Sequence, residues 1–264
     1  MPFSNTTNER IEELTRDFFE DCIFSLEVDP ENIKKAYPWH SIFFTPEAAI
    51  AALKERSMVT SIGMSFVPNL TKIVAENKYE DVHLNYEFPC DVDNGAMQQI
   101  DTICRELRKE KGTKTRSPNH DKEIAEIEKA KTGNNTRMRM VLDLYVGDHQ
   151  QGPLYYEIKA PKPNLDQTET AKKKILQFMS ISPNHKGFYA LHYNPYVTRE
   201  AYDWSFTKSV MDMKKQVLLG AEMWNYLGDS STYDEILTVL AKVSKEKWAE
   251  FEKRDKKVKK LTDF

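Results

Sequence analysis

The chain has 264 residues, 40% of them hydrophobic and 30% charged, with 38 basic and 41 acidic side chains and a net charge of −3. That is enough chain for one or two domains with a sizeable core, and it excludes a peptide, a disulfide knot, a zinc finger and a globally disordered protein. No overall basic field advertises nucleic acid, but residues 1–100 hold 8 basic and 17 acidic side chains and the remainder holds 30 and 24, so a polyanion is expected to meet the second part.

The N-terminus, Met1 to Arg10, lacks a positive region followed by an apolar one, and no stretch approaches the roughly 18 apolar residues of a membrane span, so the chain is expected in the cytoplasm. Ile11, Leu14, Phe18, Cys22 and Leu26 recur at helical spacing and predict a helix over 9–27. Pro30, Pro38 and Pro46 interrupt the next stretch, and Thr45 is the natural N-cap of a helix over 46–56. Phe66, Leu70, Ile73 and Val74 mark a helix over 64–77 that begins at or is kinked by Pro68. Helices are expected at 96–111 and 118–131, separated and followed by the loops 112–118 and 132–136.

The period then changes to two. Met138–Val146 and Leu154–Ala160 predict strands around the loop 147–153, followed by a helix over 168–179 and a strand over 187–193. Val210, Met213, Val217, Ala221 and Trp224 predict one C-terminal helix, and Ile236, Leu240, Val243 and Phe251 a second. The expectation is an α/β fold, a small mixed central sheet flanked by helices. It forms a single domain over 1–264, with a mainly helical part at 1–135, the strands and their helix at 136–195 and a helical part at 196–264. Cys22, Cys90 and Cys104 show no Cys-x-x-Cys spacing and read as reduced thiols.

The hairpin carries the chemistry. Pro153 has no N–H for the ladder, so pairing that starts at Leu154 opposes it to Val146 and places Asp143 opposite Glu157. One face then holds Leu142, Leu144, Val146, Leu154, Tyr156, Ile158 and Ala160, and the other Val141, Asp143, Tyr145, Tyr155, Glu157 and Lys159. Opposed carboxylates repel unless a cation or proton lies between them. Two carboxylates with the backbone carbonyl of Ile158 and waters suit Mg²⁺, and Lys159 is placed to orient an attacking water and to stabilise charge on a phosphate. The same residues read alone also fit a solvated cross-strand charge cluster.

Asp143, thirteen intervening residues and then Glu157-Ile158-Lys159 on a second strand resembles the PD-(D/E)XK nuclease signature, with Leu142 where its proline would stand. Glu157–Asn164, together with Ser61–Ser65 and Gly220–Trp224, is similar to one group of type II restriction endonucleases over most of the chain. The resemblance implies a restriction-endonuclease-like core and Mg²⁺-dependent cleavage of double-stranded DNA to leave 5′-phosphates, at a GC-rich interrupted palindrome such as GGNCC. It further implies a homodimer and a DNA methyltransferase in the same system. Asp143, Glu157 and Lys159 become the catalytic set, with Asp143, Glu157 and the Ile158 carbonyl on metal and Glu76 as a further candidate ligand.

Glu76-Asn-Lys78, Asp212-Met-Lys214 and Asp255-Lys-Lys257 also match the second half of the motif. All three lie in helical patterns, where positions i and i+2 do not share a face. Lys162, Asn164 and the run Lys172, Lys173, Lys174 are candidate DNA contacts, although the run equally fits a solvated helix face, and the basic tail Lys253–Lys260 is a further candidate for phosphate. Tyr145, Tyr155, Trp204, Trp224 and Trp248 suit base stacking or core packing. No His-Glu-x-x-His pair and no Gly-rich phosphate loop occurs, which disfavours a zinc hydrolase and an ATP-driven motor. Two other readings stay open: a PD-(D/E)XK nuclease of repair or recombination, and a non-catalytic nucleic-acid-binding protein.

Overall fold

The computed structural model describes residues 2–24, 30–108 and 116–262, with residues 24, 30, 31 and 254–262 described as backbone only. Two compact units divide the chain: Val74–Ser230, and Met1–Ile73 together with Ser231–Phe264. The expected positions 25–27 of the first helix, 109–111 of the fourth and 112–115 of the loop after it lie outside the described residues. No helix among the described residues is long and apolar enough to cross a membrane.

In the second-named unit, α1 (Asn5–Phe18) is capped by Ser4, whose hydroxyl accepts from the Thr7 N–H at 3.0 Å. A π-helical turn, Phe19–Phe24, continues it. The apolar row of α1 packs against α11 (Thr232–Thr262), where Ile11 and Val243 are both fully buried, and Lys242–Glu12 and Arg16–Glu246 bridge the flank at 2.6 and 3.0 Å. The tail 253–260 continues α11, but its side chains from 254 on lie outside the described residues. Short helices α2 (Pro30–Ala36) and α3 (Pro38–Phe43) each begin on a proline. α4 (Pro46–Ser61) starts at the expected cap, Thr45, and a π-helical turn over Ile62–Phe66 joins it to α5 (Val67–Glu76). Pro68 follows that π-helical turn directly, so the helix changes its hydrogen-bonding pattern just before the proline removes a donor, and it does not begin afresh there.

The other unit is built on a five-stranded sheet in the order β1-β2-β3-β4-β5. Its strands are β1 (Val82–Asp93), β2 (Asn135–Val146), β3 (Leu154–Lys159), β4 (Lys186–Leu191) and β5 (Val217–Leu219). The first three run antiparallel, and β4 and β5 run parallel to β3. The crossover from β3 to β4 is α8 (Leu165–Ile181), opened by a capping box in which Asn164 and Gln167 bond reciprocally. α6 (Asn94–Arg108) and α7 (His120–Ala130) pack on α8 through Ile100, Ile103, Leu107, Ile127 and Leu176. This is the α/β architecture expected, a mixed sheet flanked by helices.

Two strands differ from expectation. β1 has no counterpart in the sequence reading, although Val82, Leu84, Tyr86, Phe88 and Cys90 alternate cleanly; Pro89 is tolerated because β1 is an edge strand. The single helix expected across 210–224 is instead α9 (Ser205–Val210), a turn, β5 and α10 (Ala221–Leu227). Asp212 makes the turn by accepting from the Lys214 and Lys215 N–H groups, so Asp212-Met-Lys214 lies in a turn and not in a helix. A three-residue strand pairing with β4 and a helix on either side use apolar residues at the same spacings as one longer helix.

The lysine run on α8 does not form one ridge, because successive residues on a helix stand about 100° apart. Lys172 is fully buried, with Nζ 2.6 Å from Glu123 Oε2 and 2.5 Å from Gln216 Oε1, so it faces α7 and the β5 turn and offers nothing to a phosphate. Lys173 is partly exposed and bridges to Asp101 at 2.6 Å. Burial lowers the Lys172 ammonium below its ordinary range despite the charge of Glu123. Lys172→Ala strands a buried carboxylate and should cost about 3–5 kcal/mol in a urea titration, whereas Lys173→Ala removes an exposed pair worth about 1 kcal/mol or less.

Candidate active site

β2 and β3 pair Leu144 with Tyr156, Tyr145 with Tyr155 and Val146 with Leu154, the expected register. Gly152, at φ 105°, closes the loop between them; a Cβ there would lie 2.2 Å from the Asn184 carbonyl. The ladder stops at Asp143, whose Oδ2 accepts the Ile158 N–H at 3.0 Å, so a side chain supplies an acceptor where backbone pairing ends. On its other side, Leu84 opposes Leu144 and Tyr86 opposes Leu142, while Asn85, at φ 49°, and Asp143 between them make no pair. Asparagine tolerates that left-handed conformation better than most residues.

The strict two-face sorting of the hairpin breaks at this point. Leu142 packs in the same cluster as Tyr145 and Tyr155, although a separation of three would put residues 142 and 145 on opposite faces of a regular strand. Nor is the Tyr155 side a solvated one: Leu154, Tyr155 and Tyr156 are all fully buried, as suits a strand with a parallel neighbour and a helix across it. Ile158 is buried as expected, and Asp143, Glu157 and Lys159 meet as expected.

The Lys159 Nζ lies 2.9 Å from Asp143 Oδ2, 2.7 Å from Glu157 Oε1 and 3.0 Å from the Ile158 carbonyl. Three oxygens thus converge on one cation. The second Glu157 oxygen is taken by Lys174 Nζ at 2.6 Å and by the Tyr155 hydroxyl, and Lys174 also stands 4.0 Å from Asp143 Oδ1 and over the Tyr155 ring. Lys174, read from sequence as a DNA contact, is therefore in the carboxylate cluster, where it shares the sheet-facing stripe of α8 with Ala171, Ile175 and Phe178. That phase was visible in the sequence; the role of Tyr155 was not.

Burial pushes the Glu157 carboxyl upward, but Lys159 and Lys174 outweigh it and hold the group below its ordinary value. Burial likewise depresses the Lys159 ammonium, and Asp143 with Glu157 more than restores it. Burial and the neighbouring Glu157 raise the Tyr155 phenol far out of reach, so it stays a donor.

The turn after β3 is held from outside. Tyr202 donates its hydroxyl to the Pro161 carbonyl and Trp204 its indole N–H to that of Pro163, both at 2.7 Å, while His192 Nδ1 reaches the Lys159 carbonyl at 3.2 Å. Lys162, exposed, lies over the rings of Tyr196 and Trp204, and Asn164 is engaged as the α8 cap. Trp204 and Trp224 thus act in packing, the latter by donating to the His192 carbonyl at 3.0 Å. Glu76 ends α5 half-buried. Among the described residues no three His, Cys, Asp or Glu side chains gather as a metal cluster; the oxygens at Lys159 are two carboxylates and a carbonyl.

A mixed sheet with a β3–α8–β4 crossover, carrying acids and lysines where two strands part, defines a restriction-endonuclease-like enzyme core. Residues 4–244 match the family described as Type II restriction endonuclease, HinfI, and the chain belongs to that family. Among its relatives, the type II restriction enzymes HgiEI and HgiBI of Herpetosiphon aurantiacus are 30% and 29% identical over 202 residues, covering 74% of this chain and 73% of theirs. HgiCII of the same organism is 28% identical over 206 residues, 76% of this chain and 74% of its own. No solved structure gives a significant match. The chain is thus an enzyme, a site-specific endonuclease acting on DNA.

Glu157 is ionised more readily in the folded chain than at its ordinary value of 4.5, so its contribution to stability is full above that pH and is lost as pH falls through the lower folded value. Glu157→Gln should therefore be less stable than wild type near neutrality, and the gap in melting temperature should narrow steadily below pH 4.5.

Proposed function

We propose that this endonuclease is a Mg²⁺-dependent enzyme of the PD-(D/E)XK type in which Asp143, Glu157 and the Ile158 carbonyl hold the metal and Lys159 serves the attack on the phosphate. The observation that carries the reading is the convergence of those three oxygens on the Lys159 ammonium, a point within 3.0 Å of each. Two carboxylates and a carbonyl, with Glu157 and Ile158 buried and Asp143 partly exposed, are the hard oxygen donor set that suits Mg²⁺, with water reaching it from the Asp143 side. When bound there, Mg²⁺ would supply Lewis-acid polarisation of the phosphate and of a water.

The protein's own groups do the rest. Asp143 is fixed by the Ile158 N–H and Glu157 by the Tyr155 hydroxyl, so the acids are oriented in advance. Lys159, released from the shared point, has the reach to orient the water in line with the scissile bond and to offset charge growing on the phosphate. Cleavage leaves a 5′-phosphate. The target is a GC-rich interrupted palindrome such as GGNCC, read by a homodimer whose two-fold axis matches that of the site, with a methyltransferase of the same system protecting host DNA. Lys162, Asn164 and Lys173 are the retained DNA contacts, and Glu76 the further metal ligand.

Phage DNA incubated with protein and Mg²⁺, followed by sequencing of the fragment ends, tests the reading: discrete bands with one shared end sequence are expected, and a smear or intact DNA would overturn it. Asp143→Asn and Glu157→Gln should abolish cleavage while DNA binding in Ca²⁺ survives. The amide variant is preferred at Asp143 because alanine would leave the Ile158 N–H without its acceptor, at about 1–3 kcal/mol.

A further inference from the structure

The four charged groups of the site balance: Asp143 and Glu157 against Lys159 and Lys174. For a divalent cation to be held by Asp143 Oδ2, Glu157 Oε1 and the Ile158 carbonyl, Lys159, which occupies the point they share and is partly exposed, would have to leave it. Lys174 has no such reason to leave. Its partner is the other Glu157 oxygen, at 2.6 Å, outside the three-oxygen set, and it is held over the Tyr155 ring. An ammonium one carboxylate away from a divalent ion repels it, and in a half-buried setting that repulsion is screened only in part. A phosphodiester brings the negative charge that offsets it.

We propose that Lys174 is a positioning residue that couples metal entry to DNA: it holds Glu157 in ligand orientation while keeping the metal point weak until a DNA phosphate is present. This rests on the metal-site reading above. Linkage makes the coupling reciprocal, so the metal tightens DNA binding by the same factor that DNA tightens metal binding. The design suits an enzyme that must not hold a competent metal centre away from its substrate.

The test is calorimetric titration with CaCl₂ of the protein alone and of the protein with a short duplex carrying the mapped site. Wild type should bind Ca²⁺ at least about tenfold more weakly without the duplex. Lys174→Met should bind Ca²⁺ about tenfold more tightly than wild type in the DNA-free state and lose most of the dependence on duplex. Lys174→Arg should keep the wild-type pattern, and Lys215→Met, which removes only an exposed pair with Asp121, should leave DNA-free Ca²⁺ affinity unchanged. A lost side-chain contact with only a structural role would weaken Ca²⁺ binding, not tighten it. If Lys174→Met melts well below wild type, Lys174→Gln takes its place. DNA-free Ca²⁺ affinity in the neutral variants equal to or below that of wild type overturns the proposal. If Asp143→Asn binds Ca²⁺ as wild type does, with and without duplex, the metal-site reading fails instead.

Discussion

The site depends on the hydrogen bond from the Ile158 N–H to the Asp143 carboxylate. Two strands can part inside a sheet only if the backbone groups they abandon find other partners, because an orphaned buried N–H is costly. Asp143 meets that requirement with an oxygen of its side chain, and the acid is thereby pinned where β2 leaves β3. The opening then exposes the Ile158 carbonyl and sets Glu157 and Lys159 beside Asp143. One bond thus ends a ladder and begins the proposed active site.

Much of this was legible in the chain. Pro153, which cannot donate, set the start of pairing, and the register followed residue by residue down to Tyr156. The joining of Asp143, Glu157 and Lys159 follows from that register. The break in alternation at Asp143 was not legible, because it falls where β1 and β2 miss a pair, opposite Asn85, a residue 58 positions away in sequence and in an unusual backbone conformation. Nor could the hairpin show that β3 has a parallel neighbour and is therefore buried on both faces.

The errors over helices have a different origin. Apolar residues spaced by three and four over 210–224 satisfy a long helix and also the α9–β5–α10 succession, and only the pairing of Val217–Leu219 with β4 decides between them. For the lysine run the angle decides: taken as one set of DNA contacts or one solvated face, it hides that Lys172 and Lys174 occupy nearly opposite sides of α8. Placing Ala171, Ile175 and Phe178 toward the sheet would have put Lys174 there as well.

That opposition gives the buried Lys172–Glu123 pair a significance apart from stability. Positions 172 and 174 stand about 200° apart around the helix axis. An ion pair accepts little rotation before its geometry is lost, whereas the apolar contacts around it would tolerate a few degrees with small penalty. Lys172, bonded to Glu123 and Gln216 on the far side, therefore acts as an angular index for α8, fixing where Lys174 points on the near side. A well-packed apolar pair in its place could keep the helix seated and still let its bearing drift, so the polarity of this buried contact is part of how Lys174 is aimed at Glu157.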